Sequence, residues 1–429
     1  METKKKGFPA AFWVCACTEI FERLAYYLGR SLILIFVTAS VATGGLGLSD
    51  TVAANMQSNL TAFSYLLPLF GAVIVDKYIG ARYTTPVGMF IAAAGYFTGG
   101  IAKSSVGVYA MIFLVSLGLA LFKNGAIIGR VITDKSQMDP AFSMRYTLVN
   151  VGAFIGTFLV GILYKDVFAK DGVLGFAPCF KMAALMMVLG GLWYIFVCWR
   201  FLGDLGKLPF KKTLTEEEKA AEAKKKEETG TKQPLTTIEK KRIGAIFVAS
   251  LFSIVFWIFW YLGYMPVYFY WAENMDWVVA GYQVPSTWFD AANSLFCVIL
   301  GPVTAALWKK LAARPQGDMS LFRKTGLGIA IIGVGYLFYA AIDIMRGGEK
   351  ASVLWLIVFA FLLTMGEMFF SPLGHSFISK YSPSRYLAVM MSVWGFATFI
   401  AAKSYGPVYG LLFGGKIEFK VACIGVAVV

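Results

Sequence analysis

Apolar runs separated by short polar breaks recur along almost the whole chain. A membrane-spanning helix needs about 20 mainly apolar residues. Eleven segments meet that requirement: 8–40, 51–75, 83–101, 106–133, 143–164, 176–201, 243–271, 284–308, 321–344, 352–379 and 387–413. A twelfth run starts near Ile417 and reaches Val429, about half a span, and the natural protein is expected to complete it. The one long polar interval, 203–242, holds 11 basic and 8 acidic residues and almost no large apolar ones. It can neither enter a bilayer nor build a core. Within it, EEEKAAEAKKKEE predicts a solvated helix, ended by Gly230 and Pro234. The pattern thus predicts an all-α polytopic membrane protein with 12 transmembrane helices, the twelfth incomplete: a six-helix bundle over 1–202, a charged cytoplasmic linker over 203–242 and a second six-helix bundle over 243–429.

Composition agrees with the pattern and closes off other classes. Hydrophobic residues make up 58% of the 429 and charged residues 15%, with a mean hydropathy of +0.67, against about 25% charged in soluble domains. A soluble fold has no means of hiding that much apolar surface. The net charge of +14 points to membrane orientation and not to nucleic acid, because the basic residues cluster at segment ends. With the N-terminus inside, 27 of the 39 Lys and Arg fall on the cytoplasmic side. This predicts a multi-pass plasma-membrane protein, with the basic start METKKKGFPAAFW as the cytoplasmic lead into the first helix. The six cysteines lack paired metal-ligand spacing and read as small, reduced, buried residues. His375 is the sole histidine. No metal, cofactor, nucleophile triad or phosphate loop is indicated, so an enzyme is not expected.

Ionisable side chains at bilayer depth each cost roughly 2.5–3.5 kcal/mol and usually mark function. Here they are Glu19, Glu22, Arg23 and Arg30 in the first span, Lys123 in the fourth, Glu367 in the tenth and Lys403 in the eleventh. Glu19, Arg23, Tyr26 and Arg30 recur at helical spacing and share one face. Glu19 and Arg23 are expected to pair locally, leaving Glu22 and Arg30 for other partners. A carboxylate whose cation is withdrawn inside such a cavity takes up a proton, the basis of a proton-coupled switch. Lys123 and Glu367, from opposite halves, are expected to form a breakable bridge that gates the molecule, and Lys403 to snorkel to an interface. Pro68, Pro302 and Ser371-Pro372-Leu373-Gly374, the last expected to interrupt the tenth helix, suit helices that line a cavity. His375 is a candidate proton relay or a packed polar group. Two six-helix halves joined by a cytoplasmic linker are the architecture of major facilitator transporters, which bind substrate near the midplane.

The motifs resemble those of the proton-coupled oligopeptide transporters, a branch of the major facilitator superfamily. EIFERLAYYLGR is similar to their E-x-x-E-R-F-x-Y-Y motif, with Leu24 in place of Phe and the glycine one position later, at Gly29. SYLLPLFGAVIVDKYIGAR resembles the helix-two tyrosine (Tyr65) and the loop motif after it, with Gly71, Asp76, Lys77 and Gly80. Lys123, RYTLVNVGAF with Tyr146 and Asn150, NSLFCVILGPVTAALW with Asn293, GEMFFSPLGHSFISKYSP with Glu367 and Ser371, and Trp394 extend the resemblance through both halves. It departs at helix seven. After Phe256-Trp257, where many members carry an acid followed by glutamine, this chain has Tyr261 and Leu262. The extra helix pair of many bacterial members is absent too.

The resemblance implies proton-driven symport of di- and tripeptides by alternating access. Arg23, Arg30 and Lys123 would hold the peptide carboxylate and Glu367 its amine, while Asn150 and Asn293 bond its backbone. Tyr26, Tyr27, Tyr65, Tyr146, Trp257 and Trp394 would form side-chain pockets, with Ser371 in the same site. Proton coupling would rest on Glu19, Glu22, Arg23 and Glu367, and gating on Lys123, Glu367, Asp76 and Lys77, the last two as cytoplasmic hinges. The expected partners are peptide, protons and the lipid bilayer, with the protein acting as a monomer. The alternative is a related proton symporter for another small solute such as nitrate, which offers no amine to Glu367.

Overall fold

The computed structural model describes residues 7–133, 137–209, 212, 220, 235–315, 319–383 and 386–429. The predicted solvated helix of the linker lies outside these residues, apart from Ala220. The chain divides into two compact units: Met1–Gly47 with Leu66–Leu214, and Leu48–Tyr65 with Thr215–Val429.

The first unit is built from α1 (Ala10–Thr38), the later part of α2 (Asp50–Lys77), α3 (Ala81–Ile101), α4 (Ser105–Leu121), α5 (Asn124–Val131), α6 (Met138–Ile162), α7 (Phe176–Trp193) and the short α8 (Trp199–Leu202). α6 and α7 each run on into a π-helical turn, Leu163–Val167 and Tyr194–Cys198. α3 packs on α4 and α7, and α1 on α6 and α7. In lipid, helices gain little by hiding apolar surface from each other, so close backbone approach through small residues holds them together. Gly88 and Gly118 provide it between α3 and α4: a Cβ on either would sit 2.4 Å from the other's carbonyl oxygen. Gly71 on α2 leaves even less room, since its Cβ would lie 1.9 Å from Ala120 O.

The second unit contains the first part of α2, α9 (Thr237–Leu262), α10 (Met265–Tyr268), α11 (Tyr270–Asn274), α12 (Trp288–Ala312), α13 (Leu321–Met345), α14 (Trp355–Tyr381), α15 (Leu387–Phe413) and α16 (Phe419–Val428). A capping box marks where the linker gives way to α9. Thr236 Oγ1 accepts from Glu239 N at 3.2 Å, and Glu239 Oε2 accepts from Thr236 N at 2.9 Å. Packing runs α13 on α14 and α16, α9 on α15, and α12 on α14. Beyond α11 a small hairpin pairs β1 (Val278–Val279) with β2 (Tyr282–Gln283) through Ala280 and Gly281, both at positive φ as a two-residue turn requires.

Among the described residues, seven helical stretches, with 105–131 counted across its break, are long and apolar enough by length and composition to cross a membrane. α1, α14 and α15 reach 29, 27 and 27 residues, each about 40 Å at 1.5 Å per residue. Two sequence expectations change. The fourth span is not one helix: Phe122 and Lys123 break it between α4 and α5. Conversely, α14 runs unbroken through Ser371-Pro372-Leu373-Gly374, and α2 and α12 carry Pro68 and Pro302 inside them. A proline frees a carbonyl one turn back and loses its own N–H, which neighbouring helices can absorb without ending the helix.

α2 is shared between the units because its first half is stitched to α15. Gly406 and Gly410 let the backbones meet; their Cβ atoms would lie 2.9 Å from Ala54 O and 2.8 Å from Thr51 Cγ2. Ser58 Oγ donates to Ala402 O at 2.7 Å and to Lys403 O at 3.0 Å. Tyr405 Oη donates to Gln57 Oε1 at 3.2 Å. Lys403, expected at an interface, instead lies mid-helix on α15 and donates to Asn59 Oδ1 of α2.

Candidate functional site

In the first unit the site grows from the seam of α1 and α6. Gly152 and Gly156 bring α6 onto α1, where Cβ atoms would meet Ile20 O at 2.8 Å and Leu24 O at 2.4 Å. Arg145 lies on that same face of α6, seven residues before Gly152. The seam therefore delivers its guanidinium to Glu19, with Nε to Oε1 at 3.0 Å. Asn124, at the start of α5, donates to Glu19 Oε1 at 3.1 Å and to Cys15 O at 2.8 Å. Glu19 is thus held by α5 and α6, and the expected Glu19–Arg23 pair does not form.

Arg23 pairs instead with its neighbour Glu22, which is fully buried. Its Nε and Nη2 each donate to one carboxylate oxygen at 2.5 Å. The planar guanidinium matches a carboxylate with two parallel bonds, a fit that the separate pairing of Glu19 leaves available. Arg23 also stands over the Tyr26 ring at 4.8 Å, and Tyr27 meets Tyr26 edge-on at 5.4 Å. Arg30, two turns further along α1, is buried. Asn150 on α6 donates to Tyr146 O at 3.0 Å, and the Tyr146 side chain is exposed.

Lys123 sits at the break between α4 and α5, where its own N–H donates to Thr85 Oγ1 at 3.4 Å. The break turns its ammonium onto Pro68 O at 2.8 Å, inside α2. Asp76 and Lys77 occupy the last turn of α2, half-buried and exposed respectively. Just beyond, Gly80 gives way to the backbone of Gly206 and Lys207, and a Cβ there would lie 2.1 Å from Gly206 O. Arg82 fastens this corner. It donates to Gly203 O and to Trp199 O, the latter at 3.1 Å, and lies 5.0 Å over the Trp199 ring. Neither Arg82 nor Arg145 stood out among the candidate residues in the sequence; the shared face of Arg145, Gly152 and Gly156 was the available signal for the second.

In the second unit the centre is Glu367 on α14, only 9% exposed. Asn293 on α12 donates through Nδ2 to Glu367 Oε2 at 3.2 Å and to Thr364 Oγ1 at 2.8 Å, and Cys297 Sγ approaches Glu367 at 3.8 Å. Lys123 and Glu367 each find these partners within their own unit. An aromatic cluster gathers at Phe370, one turn along α14 from the acid. Phe256 stacks on Phe370 at 3.8 Å, Trp257 packs edge-on against Phe256 and Trp260 at 5.3 Å, and Trp394 lies 6.4 Å from Phe370. Tyr261, where the resemblance puts an acid, stacks on Tyr405 at 4.8 Å and donates to Tyr65 Oη at 3.4 Å. Ser371 and His375 lie outside the described side chains.

Carboxylates, guanidinium groups and an ammonium carried inside spanning helices define a polytopic membrane protein with charged groups built into its interior, the class in which such groups mark solute and proton routes. A sequence model of the POT family matches residues 205–413. The chain is 24% identical to a di-/tripeptide transporter of Lactococcus lactis subsp. cremoris over 90% of this chain and 86% of that one. It is 24% identical to the peptide transporter YePEPT of Yersinia enterocolitica over 94% and 86%. A solved POT family transporter in complex with 5-aminolevulinic acid superposes with a TM-score of 0.84 at 23% identity, covering 99% of this chain and 94% of that one. Another, in complex with a thioalcohol-conjugated peptide, gives 0.83 at 22% identity, covering 97% and 93%. The chain has the fold of these solved POT family transporters, and its residues 205–413 match the POT family sequence model.

Proposed function

We propose that this protein is a proton-driven symporter that imports di- and tripeptides across the plasma membrane by alternating access, with its N-terminus in the cytoplasm. The observation that carries the reading is Glu367, buried and bonded to Asn293, with Phe370 one turn along the same helix and the Trp257 and Trp394 rings each 6.4 Å from Phe370. An acid in such surroundings suits a primary ammonium group attached to an apolar body. Arg23, Arg30 and Lys123 supply cations for the opposite end of a zwitterion. Asn293 and Asn150 bond the peptide backbone, and Tyr26, Tyr27, Tyr65, Tyr146 and Trp394 receive side chains.

Glu22 links the proton to this site. A proton taken by Glu22 ends its ion pair and leaves the Arg23 guanidinium for a peptide carboxylate. Glu19, engaged by Arg145 and Asn124, holds α1 in register beside it. The relatives named as di-/tripeptide transporters support the same substrate class.

End-group analogues test the reading on purified protein. Dialanine is expected to stabilise the protein against thermal unfolding. N-acetyl-dialanine and dialanine amide, each lacking one charge, should bind at least about 10-fold more weakly, a loss of about 1.4 kcal/mol or more. Equal binding by all three would overturn the two-ended site. Nitrate binding without dialanine binding would move the protein to the alternative substrate class.

A further inference from the structure

Asp290 is a buried carboxylate that the peptide site leaves unused. It lies in the first turn of α12 at 5% exposure. Tyr268, at the end of α10 and also buried, donates its hydroxyl to Asp290 Oδ2. The helices meet again one residue earlier, where Phe289 contacts the Tyr264 ring at 5.2 Å.

Two rows of side chains converge here. Asp290, Asn293 and Cys297 stand at i, i+3 and i+7 and so share one face of α12. Asn293 and Cys297 both touch Glu367. Asp290 is therefore one turn, about 4.5 Å of helix rise, further along the face that carries the partners of Glu367. Opposite, Tyr261, Tyr264 and Tyr268 repeat the same spacing from the position where the resemblance puts the helix-seven acid. That acid is missing, yet the last tyrosine of the row ends on a carboxylate supplied by α12.

We propose that Asp290 is a proton-relay carboxylate of the transport cycle, taking up a proton at the hairpin end of the second unit and passing it to Glu367. The inference rests on the proton-coupled reading given above. In each cycle one proton adds to the Asp290 carboxylate. It then leaves through a water for the Glu367 carboxylate once the peptide amine has left it, and Glu367 gives the proton up to the inner side before the next peptide binds, so both carboxylates return to their starting charge. Among the described residues, the titratable groups in contact with the relay or its neighbours are Tyr264 and Tyr268 from the α9–α10 segment, Cys297 from α12 and Glu367 from α14. Among the charges of this unit, Arg346 is engaged by Asp343 at 2.8 Å and by the Tyr270 hydroxyl at 2.8 Å.

The test compares wild type with Asp290→Asn, Asp290→Glu and Tyr268→Phe in proteoliposomes, using labelled dialanine. Two readouts are taken: accumulation under an inward proton gradient, and counterflow against internal dialanine without a gradient. Asp290→Asn should lower accumulation about 100-fold, the scale of a lost positioned proton carrier, while retaining counterflow. Asp290→Glu should restore accumulation, and Tyr268→Phe should displace its pH midpoint. Normal accumulation by Asp290→Asn would overturn the relay and leave the transport reading standing. Loss of counterflow as well, in protein that elutes as a folded species, would make Asp290 a packing or ligand group and overturn it too. No dialanine movement by wild type would remove the transport reading, and the relay with it.

Discussion

Glu367→Gln is expected to lower dialanine transport, driven or exchanged, by about 100-fold, equivalent to about 2.7 kcal/mol. The substitution keeps the size and planarity of the side chain and removes only its charge. Asn293 and Thr364 retain their mutual bond at 2.8 Å, so the local packing has no reason to collapse. What disappears is the charge-assisted acceptor for an ammonium at a buried position, where no water replaces it. Binding titrations should show the loss in affinity for dialanine and a much smaller change for N-acetyl-dialanine. Unaltered affinity for dialanine would show that the amine binds elsewhere.

Glu22→Gln should produce a different defect. Glu22 is fully buried and receives both bonds of the Arg23 fork at 2.5 Å. With glutamine there, the side chain no longer binds and releases a proton. Arg23 is then left permanently without its ion-pair partner, as the proton-loaded state would leave it. Accumulation under a proton gradient is expected to fall by about 100-fold, while counterflow persists because peptide can still exchange. Gradient-driven accumulation at the wild-type level would remove Glu22 from the coupling step. The two variants thus separate substrate binding from energy coupling in the same pair of assays.

The spans and the buried charges were legible in the sequence because lipid imposes a length and a price that few other constraints match. Glu22, Arg23, Lys123 and Glu367 stood out for that reason, and the structure holds each on a specific partner. The partners themselves were less legible. Whether Arg23 binds Glu19 or Glu22 is decided by Arg145, which arrives on another helix through the Gly152 and Gly156 seam. The break at Lys123 carries no proline and is flanked only by Asn124-Gly125, a turn signal set inside an apolar run, whereas the proline and glycine of 371–374 sit in an unbroken helix. In both places neighbouring backbone groups override local propensity. The division of α2 follows from its contacts with α15, some 340 residues away in sequence, which no local pattern announces.

The most direct measurement of the central claim is uptake of labelled dialanine into proteoliposomes under an inward proton gradient, with and without a proton ionophore. Accumulation above the external concentration that collapses when the ionophore is added is the predicted result. Folded protein that moves no dialanine, or moves it equally well with the gradient dissipated, would contradict proton-driven peptide symport.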